Sequence, residues 1–462
     1  MRNFLVFTLD QVSWKALKIY GNRDSYTPNI DRIAASGTVF ESAYCPYPLC
    51  QPSRASLWSG VYSHRTRVWS NGREWPVTPL DSSFPALGET FRNAGYEARH
   101  FGKKHDGGSL RGFVCSEENE KPLPDEKREF PFNMDTYADA YTLDEAVSFL
   151  SSWECDKPLM MVVEFINPHN ICGWIGKNRG KHESPAYSVP LPSLPDNFLF
   201  SDILSRSPSA KYLCCTHVRQ AQTVGWTEKN FREYLAAYYY YLSVADRYVG
   251  MIMKAAEKLE NTTIVVLSDH GDNMAARGSV TKQSTLYEEV TRVPFLFSGY
   301  GIGKREKPVK GLCSIIDLFP TLCSLAGIKP PLHLDGMDIS SALRGGELPE
   351  RKYVTSEWFT EWGYTISPGR MIREGDVKYI RFLEDGSEEL YFLDRDSGEK
   401  ENVAFRKENE KVLSHMRALL DEYIRETDDP FYSLPVKVDR KWRKHEPGYQ
   451  NHRGLTAPEE GK

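Results

Sequence analysis

The chain has no excess of one charge, no long apolar run, no paired-cysteine motif and no internal repeat. A net charge of −5 over 462 residues lacks the concentrated positive footprint that nucleic acid demands, so no nucleic-acid partner is expected. No apolar stretch approaches the roughly 20 residues of a bilayer span, which excludes a helical membrane segment from the expectation. Met1-Arg2-Asn3 leads straight into Phe4 to Leu9, a run too short for a secretory core and followed by no small-residue cleavage site. It reads as a buried strand, and the expected location is cytoplasmic. Nine cysteines, an odd number without a C-x-x-C pair, argue against a disulfide framework and suit a reducing compartment.

What is present is a large, ordinary globular composition. At 40% hydrophobic residues the chain can bury a sizeable core. Apolar, β-branched runs at Phe4 to Leu9, Leu159 to Phe165, Thr263 to Leu267 and Val293 to Phe297 are continuous rather than alternating. Strands of that kind are covered on both faces. The expected fold is therefore α/β, a large, mostly parallel sheet flanked by helices. Phe231 to Leu259 predicts a long helix whose tyrosine-rich stripe is packing. Cys172 to Thr223 and Gly107 to Asn133 lack periodicity and read as long loops over the sheet. Composition shifts at Gly345-Gly346, which predicts a catalytic domain over 1–346 and a smaller C-terminal α+β subdomain over 347–435. Its pieces are strands near Lys378 to Phe382 and Leu390 to Leu393 and a helix from about Lys407 to Thr427. Residues 436–462 read as a disordered tail or an arm on a neighbouring subunit of a homo-oligomer.

In open parallel sheets, ligands bind beyond the carboxyl ends of the strands. Those ends carry Asp10-Gln11, Asn167-Pro168-His169 and Ser268-Asp269-His270-Gly271-Asp272. Two carboxylates, an amide oxygen and an imidazole from Asp10, Gln11, Asp269 and His270 make a donor set for a divalent cation. Oxygen-rich ligation favours a hard ion such as Ca²⁺, and the imidazole keeps Mn²⁺ or Zn²⁺ open. Asp272 reads as a cap or a supporting partner. The segment "PLCQPSRASLWSG" places Cys50 at the start of a helix, with Pro52 in its first turn and Gly60 at its end. Backbone N–H groups and the helix dipole favour an anion there, and Arg54 follows one turn on.

Cys50-x-Pro52-Ser53-Arg54 with Leu57-Trp58-Ser59-Gly60 resembles the signature of the type I sulfatases of the alkaline phosphatase superfamily. Gly102-Lys103-Lys104-His105, Pro168-His169, Asp269-His270-Gly271, Lys282 and Ile316-Asp317-Leu318-x-Pro320-Thr321 match further elements of that pattern, which covers most of the chain. The resemblance implies an alkaline-phosphatase-like fold and a Cys50 oxidised to Cα-formylglycine by a sulfatase-maturing enzyme. It also implies that residue 50 ligates the metal with Asp10, Gln11, Asp269 and His270. Arg54 would brace residue 50, Lys103 and Lys282 would bind sulfate oxygens, His169 would protonate the leaving alcohol, and His105 would deprotonate the formylglycine diol to expel sulfate. Two positions depart from the family pattern. Gln11 stands where many members carry a second aspartate, and Gln51 where small residues are commoner.

The implied activity is hydrolysis of a sulfate monoester of a small substrate, most naturally a sulfated saccharide, with Trp69, Trp75 and Trp174 as stacking candidates. The alternatives are a choline-sulfatase-like enzyme, a phosphonate or phosphate ester hydrolase of the same superfamily, and a non-catalytic relative that only binds sulfated ligands.

Overall fold

The structure, a computed structural model, describes residues 2–71, 79–116, 137–154, 156–178, 190–198, 218–223, 225–282, 286–359, 365–366 and 368–438. Trp75, most of the C-terminal tail and the distal parts of both expected loops lie outside the described residues.

Nine described strands build the main sheet: β1 (Asn3–Asp10), β2 (Thr38–Tyr44), β3 (Glu97–Gly102), β4 (Val114–Cys115), β5 (Leu159–Pro168), β6 (Thr262–Ser268), β7 (Arg292–Val293), β8 (Phe295–Gly299) and β9 (Val309–Ser314). Their order is β4-β3-β5-β1-β6-β8-β2-β7, with β9 also paired to β2. β1 runs parallel to both β5 and β6, and β3 parallel to β5, so their carboxyl ends open on one edge. β8 is antiparallel to β6. The expected strand from Val293 to Phe297 is split in two at Pro294, which has no N–H for a ladder.

Continuous hydrophobicity in β1 has the cause its pattern implied. Leu5, Phe7 and Leu9 enter one core with Met161, Val163 and Phe165, while Phe4 and Val6 enter the opposite one with Met160 and Val162. The helices Tyr137–Ser152 and Glu228–Ala255 cover the first face, and the helix Cys50–Ser59 lends Leu57 and Trp58 to the second. The long helix starts three residues before the expected Phe231, because Thr227 and Asn230 close a reciprocal cap, with the Thr227 N–H donating to Asn230 Oδ1 at 2.8 Å.

A second sheet joins β10 (Val354–Trp358), β12 (Gly369–Glu374), β13 (Val377–Phe382) and β14 (Glu388–Phe392), all antiparallel. The helix Glu410–Glu426 packs Leu413, Met416 and Leu420 against Ile372, Tyr379 and Leu390. β11 (Thr365–Ile366) pairs with β15 (Lys437–Val438), so the first residues of the expected tail return to the chain's own backbone.

Three expectations need correction. Within 107–133, expected to be a loop, Val114–Cys115 joins the main sheet as β4, parallel to β3. The segment expected to be a loop from Cys172 opens instead with a helix, Ile171–Lys177, whose Gly173 and Gly176 mask its propensity in sequence. Trp174 is buried against Trp226 and so serves the core rather than a sugar face, while Trp69 is half-buried and packs on Phe359 with its indole N–H on the Ser63 carbonyl.

His64, on the short helix Ser63–Thr66, ties the segment after Gly60 to the second sheet, its Nδ1 lying 2.7 Å from Glu357 Oε1 on β10. Burial lowers the basicity of His64, and the charge and hydrogen bond of Glu357 more than offset it, leaving the imidazole above its ordinary value. A folded-state pKa raised in this way stabilises the protein fully below about pH 6.5, the unfolded value, and the contribution disappears as pH rises through the folded value. The melting temperature should therefore fall over that window, and Glu357→Gln should flatten the slope in thermal melts at a series of pH values.

Candidate active site

Beyond the carboxyl ends of β5, β1 and β6 the chain delivers His169, Asp10 with Gln11, and Asp269 with His270 to one point. The helix Cys50–Ser59 aims its first residue there, with Leu49 extended before it and Gly60 closing it at φ 70°. Cys50 Sγ lies 3.3 Å from His270 Nε2, 3.3 Å from Lys282 Nζ and 3.9 Å from Asp10 Oδ1. His105 and His169 are both hydrogen-bonding neighbours of the same sulfur. Every residue expected at the site is thus brought together, from segments as far apart as residues 10 and 282.

Two glycines of the sequence motifs have steric reasons. A Cβ on Gly102, at φ +93°, would stand 2.1 Å from the Glu164 carbonyl oxygen, and the next N–H, of Lys103, donates to that oxygen at 3.0 Å. A Cβ on Gly271 would stand 2.0 Å from the Glu289 carbonyl oxygen. Both glycines let the backbone approach a neighbour closely enough to point Lys103 and His270 inward.

The charges are arranged in layers. Arg54 is fully buried and bonds three carboxylates: Glu164 through Nε at 2.8 Å, Asp10 through Nη2 at 3.3 Å, and Asp269 through Nη1. It lies beneath residue 50, joins these carboxylates and is shut off from solvent. Lys103 Nζ also binds Asp10. Burial and the adjacent Cys50 sulfur oppose ionisation of Asp10; Lys103, His169 and Arg54 overcome them and hold the carboxyl below the usual range. Burial would likewise raise the Cys50 thiol, but Lys103, Lys282 and His270 hold it well below its ordinary value. Position 50 is a seat for negative charge. Burial, with the cationic Lys103 and Lys282, pushes His169 down to about 4.

Gln11 sits at φ 71°, immediately after β1, and its N–H donates to Asp269 Oδ1 at 3.0 Å. Its side-chain Nε2 donates to Asp272 Oδ2 at 2.7 Å, which turns Oε1 toward Lys282 Nζ, 3.2 Å away. Asp272 is therefore the supporting partner that the sequence implied, and it is itself held by the Tyr234 hydroxyl and the Met274 N–H. Tyr238 donates its hydroxyl to the Gln11 carbonyl at 2.7 Å. The tyrosine stripe packs as expected, and two of its hydroxyls also fix the site.

Glu164 escaped the sequence reading because it lies inside an apolar strand; a carboxylate within "LMMVVEF" was the available signal. It binds Arg54, the Trp58 indole N–H at 3.0 Å and His100 Nε2 at 3.2 Å. Burial would lower His100, but the bonded Glu164 carboxylate and the neighbouring Cys115 outweigh it and hold the imidazole at about 9. Gln51 is buried, its N–H donates to Asn71 Oδ1 at 3.1 Å, and His105 Nε2 lies 3.3 Å from the Asn71 carbonyl. Nothing in these contacts requires a glutamine side chain at that position.

The donor atoms of Asp10, Cys50, Asp269 and His270 all lie within 4.8 Å of one another and all four residues are buried. With the Gln11 amide oxygen facing the same space, this set fits a divalent cation.

This sheet, with carboxylates and imidazole gathered beyond its central strands, places the protein in the alkaline phosphatase superfamily. The sulfatase family model matches residues 2–328, and a second, for the N-sulphoglucosamine sulphohydrolase C-terminal region, matches residues 280–426. The chain belongs to the sulfatase family, and is thus a sulfuric ester hydrolase. It is 43% identical over 463 aligned residues to the Delta 4,5-hexuronate-2-O-sulfatase of Bacteroides thetaiotaomicron, across 99% of this chain and 96% of that protein. A solved 2-O GAG sulfatase structure superposes with a TM-score of 0.92 at 43% identity, covering 99% of each chain. The phosphonate monoester hydrolase of Agrobacterium radiobacter shares the fold, with a TM-score of 0.74 at 22% identity over 94% of this chain and 97% of that one.

Removing one partner from a buried ionic group leaves charge uncompensated, at about 3–5 kcal/mol. Glu164→Ala strips Arg54 and His100 together and should destabilise the protein by about that amount in urea unfolding. An unchanged midpoint would mean that the Arg54 clamp does not need its third carboxylate.

Proposed function

We propose that this chain removes sulfate from a saccharide, namely a 2-O-sulfated hexuronate, using a formylglycine made from Cys50 by a sulfatase-maturing enzyme. The observation that carries the chemistry is the convergence of Lys282, His270, His105 and His169 on the Cys50 sulfur. The near full-length identity to the hexuronate-2-O-sulfatase supports the substrate class. In this reading the encoded sulfur stands where a hydroxyl oxygen of the modified residue acts.

Asp10, Gln11, Asp269, His270 and residue 50 would hold the cation, with Ca²⁺ favoured by the oxygen donors. When bound, it supplies positive charge for the sulfate oxygens and acidifies a ligated hydroxyl. Hydrated by water to a geminal diol, the formylglycine would supply one hydroxyl as nucleophile toward sulfur, and loss of the proton from the other would expel sulfate and restore the aldehyde.

The chain's own residues do the rest. Lys282, already at residue 50, and Lys103, anchored on Asp10, bind the sulfate oxygens where charge shifts during the reaction. His169 protonates the leaving sugar oxygen, and the negative charge of the incoming ester raises its depressed pKa toward that task. His105 accepts a proton from residue 50. Arg54 helps keep Asp10 ionised and holds both Asp10 and Asp269 in place.

Cys50→Ala should abolish turnover of an unsaturated 2-O-sulfated hexuronate disaccharide while leaving the fold intact by circular dichroism. Peptide mass spectrometry of the native protein should show residue 50 as the aldehyde; free thiol alone would sink the enzymatic mechanism. Saccharides sulfated elsewhere, choline sulfate and phenylphosphonate esters, assayed in parallel, should be much poorer substrates. Asp272→Asn would set an amide donor against Gln11 Nε2 and disturb the Oε1 donor. Apparent Ca²⁺ affinity, titrated calorimetrically after chelation, should drop about 10- to 100-fold. Unchanged affinity would remove Gln11 from the ligand set.

A further inference from the structure

Between β1 and β5 the ladder pairs Leu9 with Phe165 and then Asp10 with Pro168, so Ile166 and Asn167 are extra residues at the end of β5. Their N–H groups have lost the regular ladder and need other acceptors. Both find one in Asp139, in the first turn of the helix Tyr137–Ser152: Oδ1 accepts from Ile166 N at 2.6 Å and Oδ2 from Asn167 N at 2.8 Å. The same short segment closes on itself, with the His169 N–H donating to the Ile166 carbonyl at 2.9 Å. The His169 carbonyl then accepts from Cys172 N at 2.9 Å, at the start of the next helix. A carboxylate only 1% exposed is costly unless its lone pairs are filled, and burial pushes Asp139 up to about 6. Its cost is offset by these two bonds, and both are made to the two residues that precede Pro168-His169.

We infer that Asp139 is the positioning residue for His169: by gripping Ile166 and Asn167 it sets where the imidazole meets the leaving oxygen. The inference rests on the role proposed above for His169. Asp139 acts on the turn through the two backbone N–H groups that it holds.

A double-mutant cycle on the 2-O-sulfated disaccharide separates this role from general support of the fold. Asp139→Ala should lower kcat about 10- to 100-fold with KM little changed, and His169→Ala should lower it about 10²- to 10⁴-fold. The double variant should be no slower than His169→Ala alone, because the positioning residue has nothing left to position. Losses that multiply would overturn the inference and leave the role of His169 standing. A His169→Ala enzyme as fast as the parent would instead overturn that role. A crystal structure of Asp139→Ala decides the geometry independently of turnover: the 166–169 turn should shift and carry His169 away from residue 50, and an unmoved imidazole would refute the inference.

Discussion

Arg54 is the interaction on which the rest of the site depends. Asp10 and Asp269 come from different strands, and Glu164 from a third, so parallel pairing alone would press three carboxylates together in a buried space. One guanidinium, with its fixed fork of donors, reaches all three and converts mutual repulsion into a rigid arrangement. A lysine also has three N–H donors, but they radiate from one nitrogen, whereas the guanidinium spreads its donors over a planar fork wide enough to reach all three carboxylates. The helix that carries Arg54 carries Cys50 one turn earlier, so the same clamp that orders the carboxylates also fixes residue 50 above them. Reaction centre and anchor therefore move as one body.

That arrangement explains the layered polarity around residue 50. Below it lie carboxylates neutralised by Arg54 and Lys103; around it lie Lys103, Lys282 and His270, which favour negative charge at position 50 itself. An anionic ester entering such a site meets donors that are already held in place, and preorganised donors of this kind contribute most where solvent is excluded. The buried state of Asp10, Asp269 and His270 shows that water exclusion is built into the strand ends.

Asp10, Gln11, Asp269, His270 and Cys50 were legible because they sit at strand ends and a helix start, while the roles of Lys103, His105, His169 and Lys282 were read only through the resemblance to the sulfatases. Gly102 and Gly271 stood out only as motif letters, and the structure shows that each marks a close backbone approach. Glu164, Asp139 and the tyrosine hydroxyls were not legible, because their meaning depends on what lies across the sheet. Glu164 takes its meaning from Arg54, 110 residues away, and from Trp58 and His100, and Asp139 acquires its role from a register irregularity between β1 and β5. The helix Ile171–Lys177 was hidden by two glycines, and Pro294 divided a strand that periodicity alone made continuous. Trp174 shows the converse error, since an aromatic residue near a site is as readily core as ligand surface.

Gln11 is the departure from the family pattern that the structure accounts for. Its Nε2 donates to Asp272 Oδ2, and that carboxylate is already fixed by Tyr234 and the Met274 N–H. A carboxylate at position 11, placed as this amide is, would set two acceptors against each other in a buried space, with repulsion where there is now a hydrogen bond. The amide resolves the conflict by turning its donor to Asp272 and its acceptor to Lys282. Asp272 and Gln11 therefore form a matched pair, and restoring an acid at position 11 alone should cost stability unless Asp272 loses its charge in the same chain. The balance of charge at the strand ends is thus set by Asp272 as much as by position 11 itself, a dependence that only the juxtaposition of β1 with the segment after β6 reveals.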